Sequence, residues 1–336
     1  MSSIIPIFIP HVGCPHDCVF CNQKKIAGTL TPPTGADVSR IISSSLEYAR
    51  TPCEVAFYGG SFTAIEKELL ISYLDAVSPF IESGAVSHIR VSTRPDCINE
   101  EILSLLKKSG VRTIELGAQS MDDSVLIKAG RGHTSADVEN ASRLIKERGF
   151  SLVLQMMTHL PSSDDEKDIE TARKIASLTP DAVRIYPTVV VRDTALEEMW
   201  RCGKYTPATP EEAAKLGAKL IEIFEEKNIP IIRFGLNPTE DLSDGDALAG
   251  AYHPALGEMA QSARYLSIAC KEIEKQGLSG GNITIFVSPS RVSAMSGIRK
   301  QNKVFLSEKY GFENISVKGD SSLESGEIRL EKSCFS

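Results

Sequence analysis

The stretch "IIPIFIPHVGCPHDCVFCNQ", Ile4 to Gln23, joins an apolar, β-rich run to three cysteines set within eight residues: Cys14, Cys18 and Cys21. Ile4 to Ile9 reads as a first strand, and the loop behind it carries a C-x3-C-x2-C pattern. Thiolates so close together on one loop can converge on a metal centre. Their number is informative. A [4Fe-4S] cluster takes four cysteines, so three leave one iron open to a small molecule. Zinc is the competing metal, and a closed structural zinc site would recruit His11 or His16 as its fourth ligand. Three unliganded buried thiols are the bland alternative.

Further along, five more short runs keep the same rhythm: "CEVAFY" (Cys53 to Tyr58), "HIRVST" (His88 to Thr93), "VRTIEL" (Val111 to Leu116), "SLVLQM" (Ser151 to Met156) and "DAVRIY" (Asp181 to Tyr186). Amphipathic stretches such as "NEEILSLLKKSG" and "SADVENASRLIKERG" separate them and stop at Gly110 and Gly149. Repeated βα units around a parallel sheet predict an α/β fold. Six units are too few for an eight-stranded barrel and suit a partial (βα)6 TIM-like barrel, with functional residues in the loops after the strand C-termini. Those loops hold the cysteines, "GGSF", "RPD", "AQS", "THLP" and "PTVVV", which predicts one shared site. The expected division is a barrel over 1–235, a polar connecting segment and helix over 236–280, and a small α/β module over 281–336.

The 336 residues are 42% hydrophobic and 24% charged, enough material for a packed globular core. No apolar run approaches the roughly 20 residues of a membrane span, and the N-terminus lacks the basic region and cleavage site of a secretion signal. A cytoplasmic protein with reduced thiols and no membrane association is expected. Cys53, Cys97, Cys202, Cys270 and Cys334 are scattered and read as ordinary core or surface residues. A net charge of -7 argues against a chain coated in nucleic acid but allows a local basic patch.

The cysteine spacing, with Phe20 directly before the last thiol, resembles the radical S-adenosylmethionine (SAM) superfamily. The resemblance implies that the open iron chelates the amino and carboxylate groups of SAM. An electron from an external donor of the flavodoxin or ferredoxin type then cleaves SAM to a 5′-deoxyadenosyl radical. "FYGGSFT" resembles the superfamily's glycine-rich element, in which Gly59, Gly60 and Ser61 would approach the methionine amino group. Arg94 of "STRPD" is a fixed cation suited to a carboxylate, with a surface salt bridge as its other reading. "ELGAQSMDDSVLIKAGRGHT" resembles a segment shared by the Elongator catalytic subunit and the oxygen-independent coproporphyrinogen oxidases. That likeness implies Gln119 on the ribose hydroxyls and Arg131 on the SAM carboxylate, with Gln155 of "LQMMTHLP" as a further ribose contact. His159 in the same loop is expected to face solvent, with a substrate contact as its other reading. Pro180 to Ala213 resembles the Elongator catalytic subunit more specifically, a family whose radical acts on acetyl-CoA to modify the wobble uridine of tRNA. Complete members carry a long acetyltransferase domain, for which this chain has no room; the similarity spans Ile4 to Gly235.

Beyond Gly281 the order strand, helix, "GIRK" turn, helix, strand resembles a KH domain, whose GXXG loop clamps an RNA backbone. Lys300 replaces the second glycine. Between Arg291 and Lys318 six basic residues face two acidic ones, and Arg299, Lys300 and Lys303 are the candidate RNA contacts. A small α/β cap with solvated lysines is the alternative. Three functions stay open: a radical SAM enzyme acting on RNA, with tRNA as partner; a radical SAM enzyme acting on a porphyrin-like small molecule; and a non-catalytic zinc or RNA-binding protein. Tyr58, Tyr186 and Tyr252 are radical-relay candidates by chemistry alone.

Overall fold

The computed structural model describes residues 3–9, 14–22, 32–236 and 245–333. In chain order the elements are β1 (Ile4–Ile9), α1 (Gly35–Leu46), β2 (Cys53–Gly59), α2 (Lys67–Glu82), β3 (Val86–Thr93), α3 (Glu100–Lys108), β4 (Val111–Gln119), α4 (Asp123–Lys128), α5 (Ser135–Glu147), β5 (Ser151–Thr158), α6 (Asp165–Ser177), β6 (Ala182–Pro187), β7 (Val189–Val191) and α7 (Ala195–Arg201). There follow α8 (Pro210–Glu226), β8 (Ile231–Phe234), β9 (Ala247–Gly250), α9 (Leu256–Gln276), β10 (Gly281–Val287), α10 (Val292–Ser296), α11 (Gln301–Tyr310), β11 (Phe312–Gly319) and β12 (Ile328–Ser333). The helices start where short polar side chains can cap them: Thr34 and Thr134 form capping boxes with Asp37 and Asp137, and Asn99, Asp122 and Asp164 accept first-turn N–H bonds.

Strands β1 to β6 and then β8 hydrogen-bond in that order, all parallel, and the seven-stranded sheet curls into a half-barrel. All six expected strands are present, and β8 adds a seventh. Alternation along each strand separates two environments. On β1, Ile5, Ile7 and Ile9 are buried while Ile4 and Phe8 are exposed. On β2, Phe57 stacks on Phe62 and Tyr73 with ring centroids 4.8 and 5.8 Å apart.

The opposite face of β2, β3, β4 and β6 carries a chain of charges, buried at Glu54 and Glu115 and half-buried at Arg90 and Arg184. Arg90 Nε and Nη2 donate to Glu54 Oε2 at 3.0 and 2.8 Å, and its Nη1 donates to Glu115 Oε1 at 2.9 Å. Arg184 Nη2 donates to the same Glu115 oxygen at 3.0 Å and lies 3.4 Å from Tyr58 Oη. In a flat sheet β2 and β6, four strand spacings apart, would be separated by roughly 19 Å. Contact between Tyr58 and Arg184 therefore requires the curl.

The chain divides into two compact units, residues 1–207 with 224–250, and residues 208–223 with 251–336. In the second unit β10 pairs parallel with β11 and antiparallel with β12. Tyr265, Ala269 and Ile273 of α9, placed by sequence in a connecting segment, pack in one buried cluster with Ile283, Ile285, Met295, Leu306 and Phe312. No helix among the described residues is long and apolar enough to cross a membrane.

Removing one partner from a buried ion pair leaves the other charge desolvated. Glu115 keeps Arg90 as a partner when Arg184 is lost, so Arg184→Met is expected to destabilise the barrel unit by about 2 kcal/mol in urea unfolding, and the Glu115→Met, Arg184→Met double variant to lose less than the two single variants added together. A double-variant loss equal to the sum of the two single losses would show that the pair is not coupled.

Candidate active site at the strand C-termini

The cysteine loop is held by the turn between α4 and α5. Val19 N–H donates to Ala129 O at 3.0 Å, and Cys21 N–H folds back onto Cys18 O at 3.1 Å. Gly130 and Gly132 both have left-handed backbone, φ +67° and +73°. A Cβ on Gly130 would lie 3.0 Å from Asp17 O, and one on Gly132 would lie 2.3 Å from the His16 ring. The turn thus presents bare backbone to the loop because side chains would push it away. Between these glycines Arg131, only 7% exposed, points inward. Its Nη1 donates to Cys18 Sγ at 3.4 Å and its Nη2 to Gly117 O at 2.8 Å.

All three loop cysteines are free thiols. Burial raises the Cys14 thiol pKa, opposed by the Ser61 backbone N–H and Arg94. Burial, then the neighbouring Cys18 and Cys14, pushes Cys21 up to about 12. Phe20 packs beside Val125, Ala129, Met157 and Leu160.

The other strand ends converge on the same loop. Gly59 has φ +115°, and a Cβ there would sit 2.1 Å from Ile9 O. Gly60 N–H donates to that oxygen at 3.3 Å, tying the β2 end to the β1 end. Ser61 is buried, its Oγ 2.8 Å from Thr93 Oγ1. Arg94 makes a two-pronged pair with Asp96, Nε to Oδ1 and Nη2 to Oδ2, both 2.9 Å, and its Nη2 also grips the Arg131 carbonyl. This is a salt bridge, as one reading of the sequence had it, but a buried one: Arg94 is 3% exposed. Gln119 adopts φ +65° beside a bulge in the β4–β5 register, and its Oε1 accepts from Gln155 Nε2 at 3.2 Å. Left-handed backbone at a non-glycine residue is strain of the kind that clusters at functional sites.

Three residues escaped the sequence reading. Cys97 lies beside Ser61 and Arg94, which oppose the rise that burial imposes on its thiol pKa. Asp96 anchors Arg94. His133, 3% exposed, donates from Nε2 to Ala118 O at 3.1 Å, while its Nδ1 is buried with no partner among the described residues. The "GRGH" run was the available signal. His159 differs from expectation: its side chain is 15% exposed, its N–H donates to Asp168 Oδ2 at 2.8 Å, and its carbonyl accepts from Tyr205. It is part of a packed loop, not a solvent-facing residue. His11 lies outside the described residues, and His16 sits over Gly132.

Arg299, Lys300 and Lys303 belong to the second unit. Arg299 and Lys300 are exposed at the turn before α11, with φ +51° and +65°.

The Radical SAM superfamily model matches residues 8–175. The chain belongs to the radical SAM superfamily. A Radical_SAM C-terminal domain model matches residues 180–267. Human Elongator complex protein 3 is 29% identical over 208 residues, 61% of this chain and 37% of that protein. A Methanocaldococcus jannaschii tRNA uridine(34) acetyltransferase is 36% identical over 129 residues, 38% of this chain and 24% of that protein. The chain spans less than half the length of these curated relatives. The archaeal Methanocaldococcus infernus Elp3 with an N-terminal deletion superposes with TM-score 0.60 at 23% identity, covering 82% of this chain and 63% of that one. This likeness supports the half-barrel.

Superfamily membership implies a [4Fe-4S] cluster and SAM. The donor set suits both. Three thiols crowd closely enough to perturb one another, and two guanidinium nitrogens, Arg94 Nη1 and Arg131 Nε, are buried without partners among the described residues. No three His, Cys, Asp or Glu side chains among the described residues gather around a single-ion position. A cluster needs no such point, because each thiolate takes its own iron.

Burial, reinforced by Arg131, lowers the His133 pKa from 6.5 to about 4. His133 therefore stays neutral in the fold while the unfolded chain takes up a proton below pH 6.5. Stability is lost as pH falls from 6.5 to 4, by up to about 3 kcal/mol. His133→Gln, which retains a donor for Ala118, is expected to flatten that part of the urea-derived stability profile of cluster-free protein. An unchanged slope would disprove the assignment.

Proposed function

We propose that this radical SAM enzyme binds its cluster through Cys14, Cys18 and Cys21 and modifies RNA, with tRNA as the substrate class. The observation that carries the proposal is the docking of the three-cysteine loop on the Ala129–Gly132 turn, with Arg131 on Cys18 and the Ser61 N–H beside Cys14. When bound, the cofactor pair supplies one-electron reductive cleavage of SAM, with the electron coming from a flavodoxin or ferredoxin type donor. The chain's own residues hold and shield it. Gly59, Gly60 and Ser61 leave backbone open to the methionine amino group. Arg94, fixed by Asp96, keeps Nη1 for a carboxylate. The Gln119–Gln155 pair offers amide groups to the ribose, and Phe20 contributes an apolar wall.

Support for RNA comes from the names of relatives that modify tRNA uridine and from the KH-like order of β10, α10, α11 and β11. Arg299 and Lys300 at the intervening turn, with Lys303 in the first turn of α11, are the proposed phosphate contacts.

Anaerobically reconstituted protein is expected to hold about four irons and four sulfides per chain and to cleave SAM under reduction; Cys18→Ala should lose both. One zinc per chain would disprove the reading. Bulk tRNA should give a salt-sensitive gel shift that weakens at least tenfold when Arg299, Lys300 and Lys303 are changed to Glu. No shift at low salt would turn the assignment towards a small-molecule substrate.

A further inference from the structure

We propose that Arg131 is a redox-positioning residue, whose Nη1–H donates to the Cys18 sulfur and raises the reduction potential of the bound cluster. The inference rests on the cluster assignment above and goes beyond it, because the family resemblance gives Arg131 to the SAM carboxylate.

The geometry carries it. Arg131 Nη1 is already 3.4 Å from Cys18 Sγ, and the residue is held at both its side chain and its backbone. Nη2 is held on Gly117 O at 2.8 Å. The residue's own carbonyl is gripped by Arg94, which Asp96 fixes through two bonds of 2.9 Å. Its backbone is set between Gly130 and Gly132, whose left-handed conformations bring the turn against the cysteine loop. Gly117 completes the arrangement, since a Cβ there would lie 3.2 Å from Arg131 Nη2. Every constraint aims one N–H at one sulfur.

A donor and a permanent positive charge beside a cluster thiolate stabilise the more negative, reduced state, and burial strengthens the effect. One electron enters from the flavodoxin or ferredoxin type donor and no proton moves, because the guanidinium does not titrate. Arg131 thus eases the first step of turnover without touching the substrate. Its partner Arg94 retains a buried, unpartnered Nη1 and is left to meet the SAM carboxylate.

EPR-monitored reductive titration of the reconstituted full chain without SAM separates the two roles. Arg131→Met should lower the midpoint potential by about 60 mV, a tenfold change in the one-electron reduction equilibrium, and Arg131→Lys by less, because it keeps the charge and loses the fork. A role confined to the SAM carboxylate would leave the SAM-free midpoint unchanged in both variants while weakening SAM binding, and would overturn the proposal. Should both variants fail to hold iron, the wild-type cluster decides. An exchangeable deuteron coupled to the reduced cluster in D2O, seen by ENDOR, supports the N–H···S bond, and its absence overturns it. Iron and sulfide content of the wild-type protein tests the cluster assignment separately.

Discussion

Arg184 reaches Tyr58 across four strand spacings, and that contact is possible only in a curled sheet. Glu115 lies between the two ends of the chain of charges, accepting from Arg184 and Arg90, and Arg90 continues to Glu54. Four strands are thereby tied through their inward side chains as well as their backbones. Curling the sheet brings its strand C-termini towards one another. The cysteine loop after β1, Ser61 after β2, Arg94 after β3, Gln119 on β4 and Gln155 on β5 meet because of it. Charges in the barrel interior suit this task better than apolar packing would, because they fix direction while leaving polar surface.

Above that layer the site solves a local problem of its own. Two arginines, Arg94 and Arg131, are buried at one site, where their guanidinium groups lose hydration. Asp96 neutralises Arg94, while Arg131 is surrounded by acceptors: Gly117 O and the Cys18 sulfur. His133 answers the same field by staying neutral.

Sequence pattern made the six longer strands legible because each is a β-rich run bounded by turn residues. The seventh, Ile231–Phe234, is four residues long and mixes apolar positions with Arg233, so periodicity has little to act on. The β7–β9 ribbon pairs Val189–Val191 with Ala247–Gly250, a non-local pairing that no local pattern announces. The helix expected within the connecting segment, α9, gave no sign in sequence that it would share a buried cluster with β10. At the site, the residues that sequence could single out are those that lie in recognisable motifs. Cys97 and His133 were missed because their roles come from tertiary neighbours: a lone cysteine after "RPD" looks ordinary until Ser61 and Arg94 stand beside it. His159 was misread because one histidine in a polar loop gives no sign of the buried Asp168 that receives its backbone.

The "GIRK" turn departs from GXXG in composition more than in backbone. Lys300 takes φ +65°, the left-handed conformation a glycine would adopt freely, and Arg299 takes φ +51°. Each costs about 1 kcal/mol or more at a residue with a Cβ, so something must hold the turn. Asn302 does: buried at 2% exposure, its Nδ2 lies within 3.0 Å of Ser262 O and Oγ and 3.2 Å of Ala294 O and Met295 O, bracketing the end of α10. Gly297 lets it approach, since a Cβ there would come within 2.9 Å of Asn302. The second glycine is therefore replaceable because the clamp supplies the strain energy that glycine would make unnecessary. What the replacement adds is a cation on an exposed turn whose backbone the clamp holds in place.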